Sequence, residues 1–486
     1  MRKTLLLLAA LLWLLAPGQM LADGGKREFR GAWMQCVNGM YLGKSTAEVQ
    51  QMLTRQLDEL EKDGVNAIIF QVRGECDALY ASKIEPWSRY LTGVQGQAPK
   101  PYWDPMSWMI VQCHKRGMEF HAWINPYRAR MKSPTRLAPN HILSLHPERA
   151  FEYGGLYVLN PGLKENRDYI LSVVDDIVSR YDIDGIHIDD YFYPYPDGGR
   201  PIPDDREYQL YNNGIQDRGD WRRYNVNLFI KEMSEHVHRL KPWVKFGVSP
   251  FGIYRNKKSA PIGSDTNGLQ NYDQLYADVL LWVNNGWVDY CVPQLYWQIG
   301  HKLADYDTLI HWWSKHMAAR PLFIGESIEN TVKYPDPANP ATHQMAAKFK
   351  LHRQLPNVQG TVLWYAKVAA EDMGSYGTLL RKVYWSHPAL PPAMPFLDNH
   401  APKKPRKVST VWNEDGYMLF WQSPKSSRWG DEARRYVVYR FGRGERVNLN
   451  DASKIVKITY DPFYRLPYQE GRDKYTYVVT ALDRVG

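Results

Sequence analysis

DGIHIDDYFYPYP, residues 184–196, ends a short apolar run on two adjacent aspartates, Asp189 and Asp190, and runs on into Tyr191, Phe192, Tyr193 and Tyr195. Asp184-Gly185 is a turn signal, and Gly185–Asp189 reads as a buried strand. Acids at the C-terminal end of such a strand are what the mouth of a (β/α)8 barrel displays, because the loops that follow its strands build the working face. The fold then depends on whether the same unit recurs on either side.

It does. Strand-like runs occur at Gly31–Val37, Ala67–Val72, Glu119–Ile124, Gly185–Asp189, Lys245–Ser249, Tyr290–Leu295, Leu322–Gly325 and Gly360–Trp364. Helix-like stretches follow each: Thr46–Lys62, Pro105–Arg116, Lys164–Tyr181, Trp221–Leu240, Tyr272–Asn285, Asp305–Ala318, Pro340–Leu355 and Glu371–Tyr384. Eight strand–helix units predict one α/β domain, a (β/α)8 TIM barrel over residues 27–385. Residues 73–104, 125–163 and 191–220 are long connections after strands, which would crown the mouth.

Outside the barrel the pattern changes. Residues 386–406 are rich in proline and read as a semi-rigid linker. Residues 407–486 carry period-two runs at Lys407–Trp412, Tyr417–Trp421, Arg435–Arg440, Ser453–Thr459 and Lys474–Thr480. They predict a small all-β module, a fibronectin type III or immunoglobulin-like sandwich short of its last strand. At the other end, Arg2 and Lys3 precede an apolar run from Leu5 to Leu15, and Ala22 precedes polar Asp23. Residues 1–22 read as a secretory signal, too short for a bilayer span. Export to the periplasm, the cell envelope or the medium is expected.

Composition narrows the function. Hydrophobic content of 44% and charged content of 23% are ordinary, but 18 Trp and 33 Tyr supply many flat faces that suit sugar rings or large cores. Net charge falls from +9 to +7 when Arg2 and Lys3 are removed, which suits an anionic wall polymer. No clustered basic motif for nucleic acid appears. Cys36, Cys76, Cys113 and Cys291 lack metal-finger spacing, so no metal site or cofactor is expected of them.

The strand ends hold the candidate site. Glycoside cleavage needs carboxyl groups in separated roles, and two neighbouring carboxylates raise each other's proton affinity. Asp189 and Asp190 are the candidate catalytic pair, with Glu326 at the end of strand seven as an acid across the mouth. Glu75 and Asp77 are rivals for that third place. Arg73, Asp77, His121, Asn125, Arg128, His187, Tyr191, Tyr193, Gln294, Tyr296, Trp297 and Trp364 are candidate substrate-binding residues. All these motifs precede residue 390, so the chemistry is expected of the barrel alone, with the β-module left for polymer targeting or contact with a cell-envelope protein.

FRGAWMQCVNG, GVNAIIFQVRGECDALYASKIEPWSRYLTG, HAWINPYR and DGIHIDDYFYPYP, in that order, resemble the glycosyl-hydrolase-like family 10 of exported bacterial proteins over roughly residues 27–390. The resemblance implies a glycosidase-type barrel and, from a relative, peptidoglycan glycan strands stripped of stem peptides as substrate. The lipoprotein cysteine of many members is not seen in the N-terminal segment. DGIHIDD also resembles the chitinase signature DGxDxDxE, but His187 and Tyr191 replace two of its acids, so that mechanism does not carry over. Two other readings stand: a non-catalytic glycan-binding barrel, and a metal-dependent deacetylase or hydrolase in which His121, His187, Asp189 and Asp190 gather an ion.

Overall fold

A computed structural model of the chain describes residues 25–133, 135–426, 432–467 and 474–486. The expected signal segment lies outside them. Eight parallel strands close into a barrel: β1 (Phe29–Met34), β2 (Ala67–Arg73), β3 (Glu119–Ile124), β4 (Gly185–Ile188), β5 (Lys245–Val248), β6 (Tyr290–Cys291), β7 (Leu322–Ser327) and β8 (Val358–Trp364). Neighbours around the ring are neighbours in sequence, and β1 pairs with both β2 and β8. This is the TIM-type architecture the repeating units predict.

Local chemistry explains the helices. In α1 (Thr46–Lys62), Ser45 and Glu48 satisfy each other's backbone in a capping box, and Val49, Leu53, Leu57 and Leu60 form the buried stripe. Asp104 caps α2 (Pro105–Lys115), whose first residue is a proline that has no N–H to waste. Asp217 caps α4 (Arg218–Leu240), which packs on α3 (Lys164–Arg180). Among the described residues, no helix is long and apolar enough to cross a membrane.

Several expected elements differ. Strand six stops at Cys291 rather than Leu295, because Pro293 cannot donate to the ladder. The Tyr272–Asn285 helix is split into Asn271–Gln274 and Val279–Asn284, with Tyr276 at φ +56° between them and Asp278 capping the second piece. The connection 125–163 holds a three-stranded antiparallel sheet, Arg128–Met131, Ala150–Tyr153 and Leu156–Leu159. Gly154 and Gly155, both at positive φ, make its tight hairpin.

The barrel interior is unusual. Such barrels are normally filled by branched aliphatics. Here Phe29, Trp33, Trp123, Tyr290 and Phe323 crowd the axis with Ala67, Ile69, Val292 and Val362. Glycine makes the room: a Cβ on Gly247 would lie 1.9 Å from the Tyr290 ring, and one on Gly185 would lie 2.4 Å from His121.

Residues 386–406 are not a free spacer. Leu390 accepts from the Glu28 backbone at 2.8 Å and donates to Lys26 at 2.9 Å, while Asn66 Nδ2 donates to the Ala389 carbonyl at 2.9 Å. Met394 and Leu397 join the core inside the barrel's lower end. The module that follows has two antiparallel sheets. One is β9 (Arg406–Asn413), β10 (Gly416–Gln422) and β13 (Phe463–Arg465). The other is β12 (Ile455–Thr459), β11 (Arg435–Phe441) and β14 (Thr476–Leu482). The central strand of this inner sheet, β11, is buried on both faces. Tyr436, Val438 and Val479 meet the outer sheet, while Val437, Tyr439, Phe441 and Leu482 pack with Leu390.

The module docks on the N-terminal face of the barrel. Tyr460 stacks on His114 at 4.2 Å, Lys457 pairs with Glu61 at 2.8 Å, and Asp182 takes both Arg434 and Arg484. Gly117, at φ +73°, lies so close that a Cβ there would sit 2.3 Å from the Ile458 carbonyl oxygen.

Candidate active site

Strand alternation separates the two aspartates. Gly185 and His187 face the barrel axis, and Asp189 continues that line at the mouth. Its carboxylate accepts from Trp123 Nε1 at 3.1 Å, from Asn125 Nδ2 at 3.1 and 3.3 Å, and from the Tyr191 backbone N–H at 3.4 Å. These groups only donate, which favours an ionised acceptor. Burial pushes the Asp189 pKa up, opposed by the Arg128 guanidinium and these donors.

Asp190 turns toward strands five and six. The Tyr195 hydroxyl donates to it, and Gln294 hydrogen-bonds it as well. Gln294 is itself oriented by the hydrogen bond that its Nε2 donates to the Ser249 carbonyl at 2.8 Å. Burial and then the adjacent Asp189 charge raise the Asp190 pKa to about 7. One carboxyl is thus supplied with donors and the other retains a proton near neutrality, a division of roles that acid–base chemistry requires.

Aromatic rings wall the mouth. Tyr191 stacks on Tyr195 at 5.5 Å, with Arg128 over the Tyr191 ring at 5.1 Å. Tyr195 meets Phe251 edge-on at 6.0 Å, and Phe251 meets Trp297 at 5.4 Å. On the other side Tyr296 stacks on Trp364 at 6.0 Å, and Trp33 stands edge-on to both. Tyr191, Tyr195, Tyr296, Trp297 and Trp364 are each half-buried, with ring surface left to offer.

Other candidates lie elsewhere. Glu326 does not reach the mouth. Phe323 and Gly325 face the axis, so Glu326 points into the helix shell, where it pairs with Lys348 of the helix Met345–Gln354 at 2.6 Å and accepts from Thr331. Arg73 follows a register shift after Gln71 and is sealed against Glu85 at 2.7 Å. Asp77 is buried under the β2 loop, accepting from Gln95 Nε2 at 3.0 Å and from the Glu75 N–H at 3.3 Å. Glu75 is bound by Arg89 at 2.9 Å and by the Met131 N–H at 2.6 Å. Tyr193 is fully buried behind the wall, edge-on to Tyr276.

The two histidines sit below the site. His121 aligns in register with Gly185, four residues beneath Asp189, and bonds Glu119 at 3.1 Å and Tyr290 at 2.8 Å. His187 bonds Tyr290 at 3.1 Å and Ser249 at 2.9 Å. With their ring nitrogens so committed they do not converge with the aspartates. Among the described residues no group of three or more His, Cys, Asp or Glu could hold a metal ion. Tyr195 was named in the aromatic run but not among the candidate binding residues, and Trp33, Ser249 and Tyr290 were not singled out. Tyr195 was visible in the YPYP run, whereas the others follow only from the register of neighbouring strands.

Known proteins share this chain's pattern. The family described as Glycosyl hydrolase-like 10 matches residues 28–340. The glycosyl hydrolase YngK of Bacillus subtilis is 38% identical over 477 residues, covering 94% of this chain and 91% of that protein. The glycosyl hydrolase DigH of Escherichia coli K12 is 38% identical over 339 residues, covering 66% of this chain and 76% of that protein. Among solved structures, the catalytic domain of a Paenibacillus polymyxa β-amylase has a TM-score of 0.46 at 12% identity, over 72% of this chain and 95% of that one. With Asp189, Asp190 and most of the barrel inside the matched residues, the chain belongs to the glycosyl hydrolase-like 10 family.

Proposed function

We propose that this protein is an exported glycoside hydrolase of the bacterial cell wall. The observation that carries the reading is the unequal treatment of two adjacent carboxyls in an aromatic-walled mouth. Asp190 is the proton donor to the leaving oxygen. Asp189, fixed by Trp123 and Asn125, is the carboxylate that supports positive charge on the sugar or receives the anomeric carbon. Tyr191, Tyr195, Tyr296, Trp297 and Trp364 are stacking surfaces for sugar rings, and Arg128 is a cation beside them.

The substrate we favour is the glycan strand of peptidoglycan. The motif resemblance points there, and a net positive charge suits an anionic polymer. The test is to incubate the protein with intact and amidase-treated sacculi and to follow products by mass spectrometry. Soluble glycan fragments with new reducing ends are expected. No new reducing ends from either material, where a lysozyme control releases them, would reject the reading.

A further inference from the structure

A column of polar side chains runs down the barrel axis beneath the acids. Trp33 Nε1 donates to His187 Nε2 at 3.4 Å, with Ser249 Oγ beside it at 2.9 Å. Tyr290 OH lies 3.1 Å from His187 Nδ1 and 2.8 Å from His121 Nδ1. His121 Nε2 lies 3.1 Å from Glu119 Oε2, and Lys245 and Arg435 both donate to Glu119 Oε1, at 2.6 and 2.9 Å. All of these side chains are buried.

The foot of the column sets its direction. An indole N–H can only donate and an ionised carboxylate can only accept. For neutral rings, His121 therefore gives its Nε2 proton to Glu119 and takes that of Tyr290 at Nδ1, and Tyr290 in turn accepts from His187 Nδ1–H, which leaves His187 Nε2 as the acceptor for the Trp33 and Ser249 donors. Above, the Ser249 carbonyl orients Gln294, which bonds Asp190. Stability alone does not account for this filling, since well-packed apolar residues in place of buried ion pairs are often as stable or more so.

We propose that Arg435, from the C-terminal module, is a positioning residue for the active site: by completing the charge around Glu119 it fixes the direction of the Glu119–His121–Tyr290–His187 column, on which the end of β4 rests. The module is then the floor of the barrel and part of the working enzyme. Glu119 is faced by Lys245 from β5, Arg435 from β11 and His121 from its own strand, with Tyr290 beyond. Asp184 and Tyr460 in turn face Arg435. Burial pushes the Glu119 pKa up, but Lys245 and then Arg435 outweigh it and hold it at about 2. The carboxylate is therefore ionised over the whole working range. Without Arg435 its pKa rises, and on protonation it becomes a donor that opposes His121.

The mouth end of this inference rests on the proposed roles of Asp189 and Asp190; the column itself does not. The test is Arg435→Met in the full chain, with Arg435→Lys as rescue and two readouts. Histidine 15N shifts report the tautomers of His121 and His187 without any need for turnover. The pH profile of glycan cleavage should gain an acid limb, with turnover near pH 5 reduced roughly tenfold relative to that near pH 7 for each unit by which the Glu119 pKa rises above pH 5. Arg435→Lys should restore both. If Arg435→Met does not fold, Tyr290→Phe cuts the column at its middle while leaving the module contacts in place: His187 should lose its fixed tautomer, whereas His121 keeps its Nε2 proton toward Glu119. A parental 15N pattern for His187 in whichever variant folds would overturn the proposal. Should the parental protein cleave no glycan, the functional reading fails and the tautomers still decide this one.

Discussion

Arg435 of the C-terminal module and Glu119 at the foot of β3 form an ion pair at 2.9 Å with both side chains almost wholly sealed from water. The pair joins segments of the chain that look independent in sequence. Removing one partner of a buried pair typically costs about 3–5 kcal/mol, because the other charge is left without compensation. A chain ending at Pro391 would strip the barrel of Arg435, of both partners of Asp182 and of the Met394 plug. It should be markedly less stable than the full chain in urea or on heating. Equal stability of the two would show that the module is only an attachment.

Asp190→Asn and Asp189→Asn should each lower turnover by about 10²–10⁴-fold, the usual contribution of a positioned acid or base, with fold and ligand affinity retained. Parental rates on purified glycan in both variants would remove the pair from the mechanism.

The raised pKa of Asp190 sets the sign of two pH effects. As a proton donor it should lose activity as pH rises through about 7. The folded state also holds this proton more tightly than the unfolded chain does, so folding stability from this group is present below the ordinary aspartate range and declines as pH rises toward about 7. Asp190→Asn should therefore raise the melting temperature at alkaline pH while turnover falls. Calorimetry across pH would reveal a variant that is no more stable than its parent there, and with it an Asp190 that is not held protonated.

The wall and what lies behind it should separate kinetically. Alanine at Tyr191, Trp297 or Trp364 should raise KM on oligosaccharides by about tenfold, on the order of one stacking contact, with the protein still folded. Alanine at fully buried Tyr193 should instead cost about 3–5 kcal/mol of stability, as large core truncations do. Unchanged kinetics for all three wall variants would reduce the wall to packing.

Glu326→Gln should behave as a core variant. It leaves Lys348 buried without its counter-charge, so destabilisation of about 3–5 kcal/mol is expected, while the pH profile of the folded enzyme keeps its shape. A lost limb in that profile would return Glu326 to the chemistry.

These outcomes follow the line between what was and was not legible in the sequence. The DG turn, the short run and the two acids placed Asp189 and Asp190 at a strand's end, because turn chemistry and strand length are local. The facing of Glu326 was hidden: LFIGES is buried on both sides, so no polar alternation marks which residues look inward. The register shift that turns Arg73 away leaves no local mark. The Gly-Gly hairpin at 154–155 does carry a local signal, two apolar runs around a two-residue glycine turn, set inside a long connection. The docked module was hidden for the same reason as Glu326. RYVVYRF is apolar on both faces, and that continuity, read as an isolated strand, meant a second burial partner.

The doubly buried strand β11 also fixes where the molecule should first come apart. β9 is exposed along its whole length, whereas β11 is covered on both sides. Amide hydrogen exchange should thus divide the protein between the two sheets of the module rather than at the proline-rich stretch. β9 and β10 should exchange through local opening, while β11 should hold its protons as long as β3 does, as one cooperative unit with the barrel.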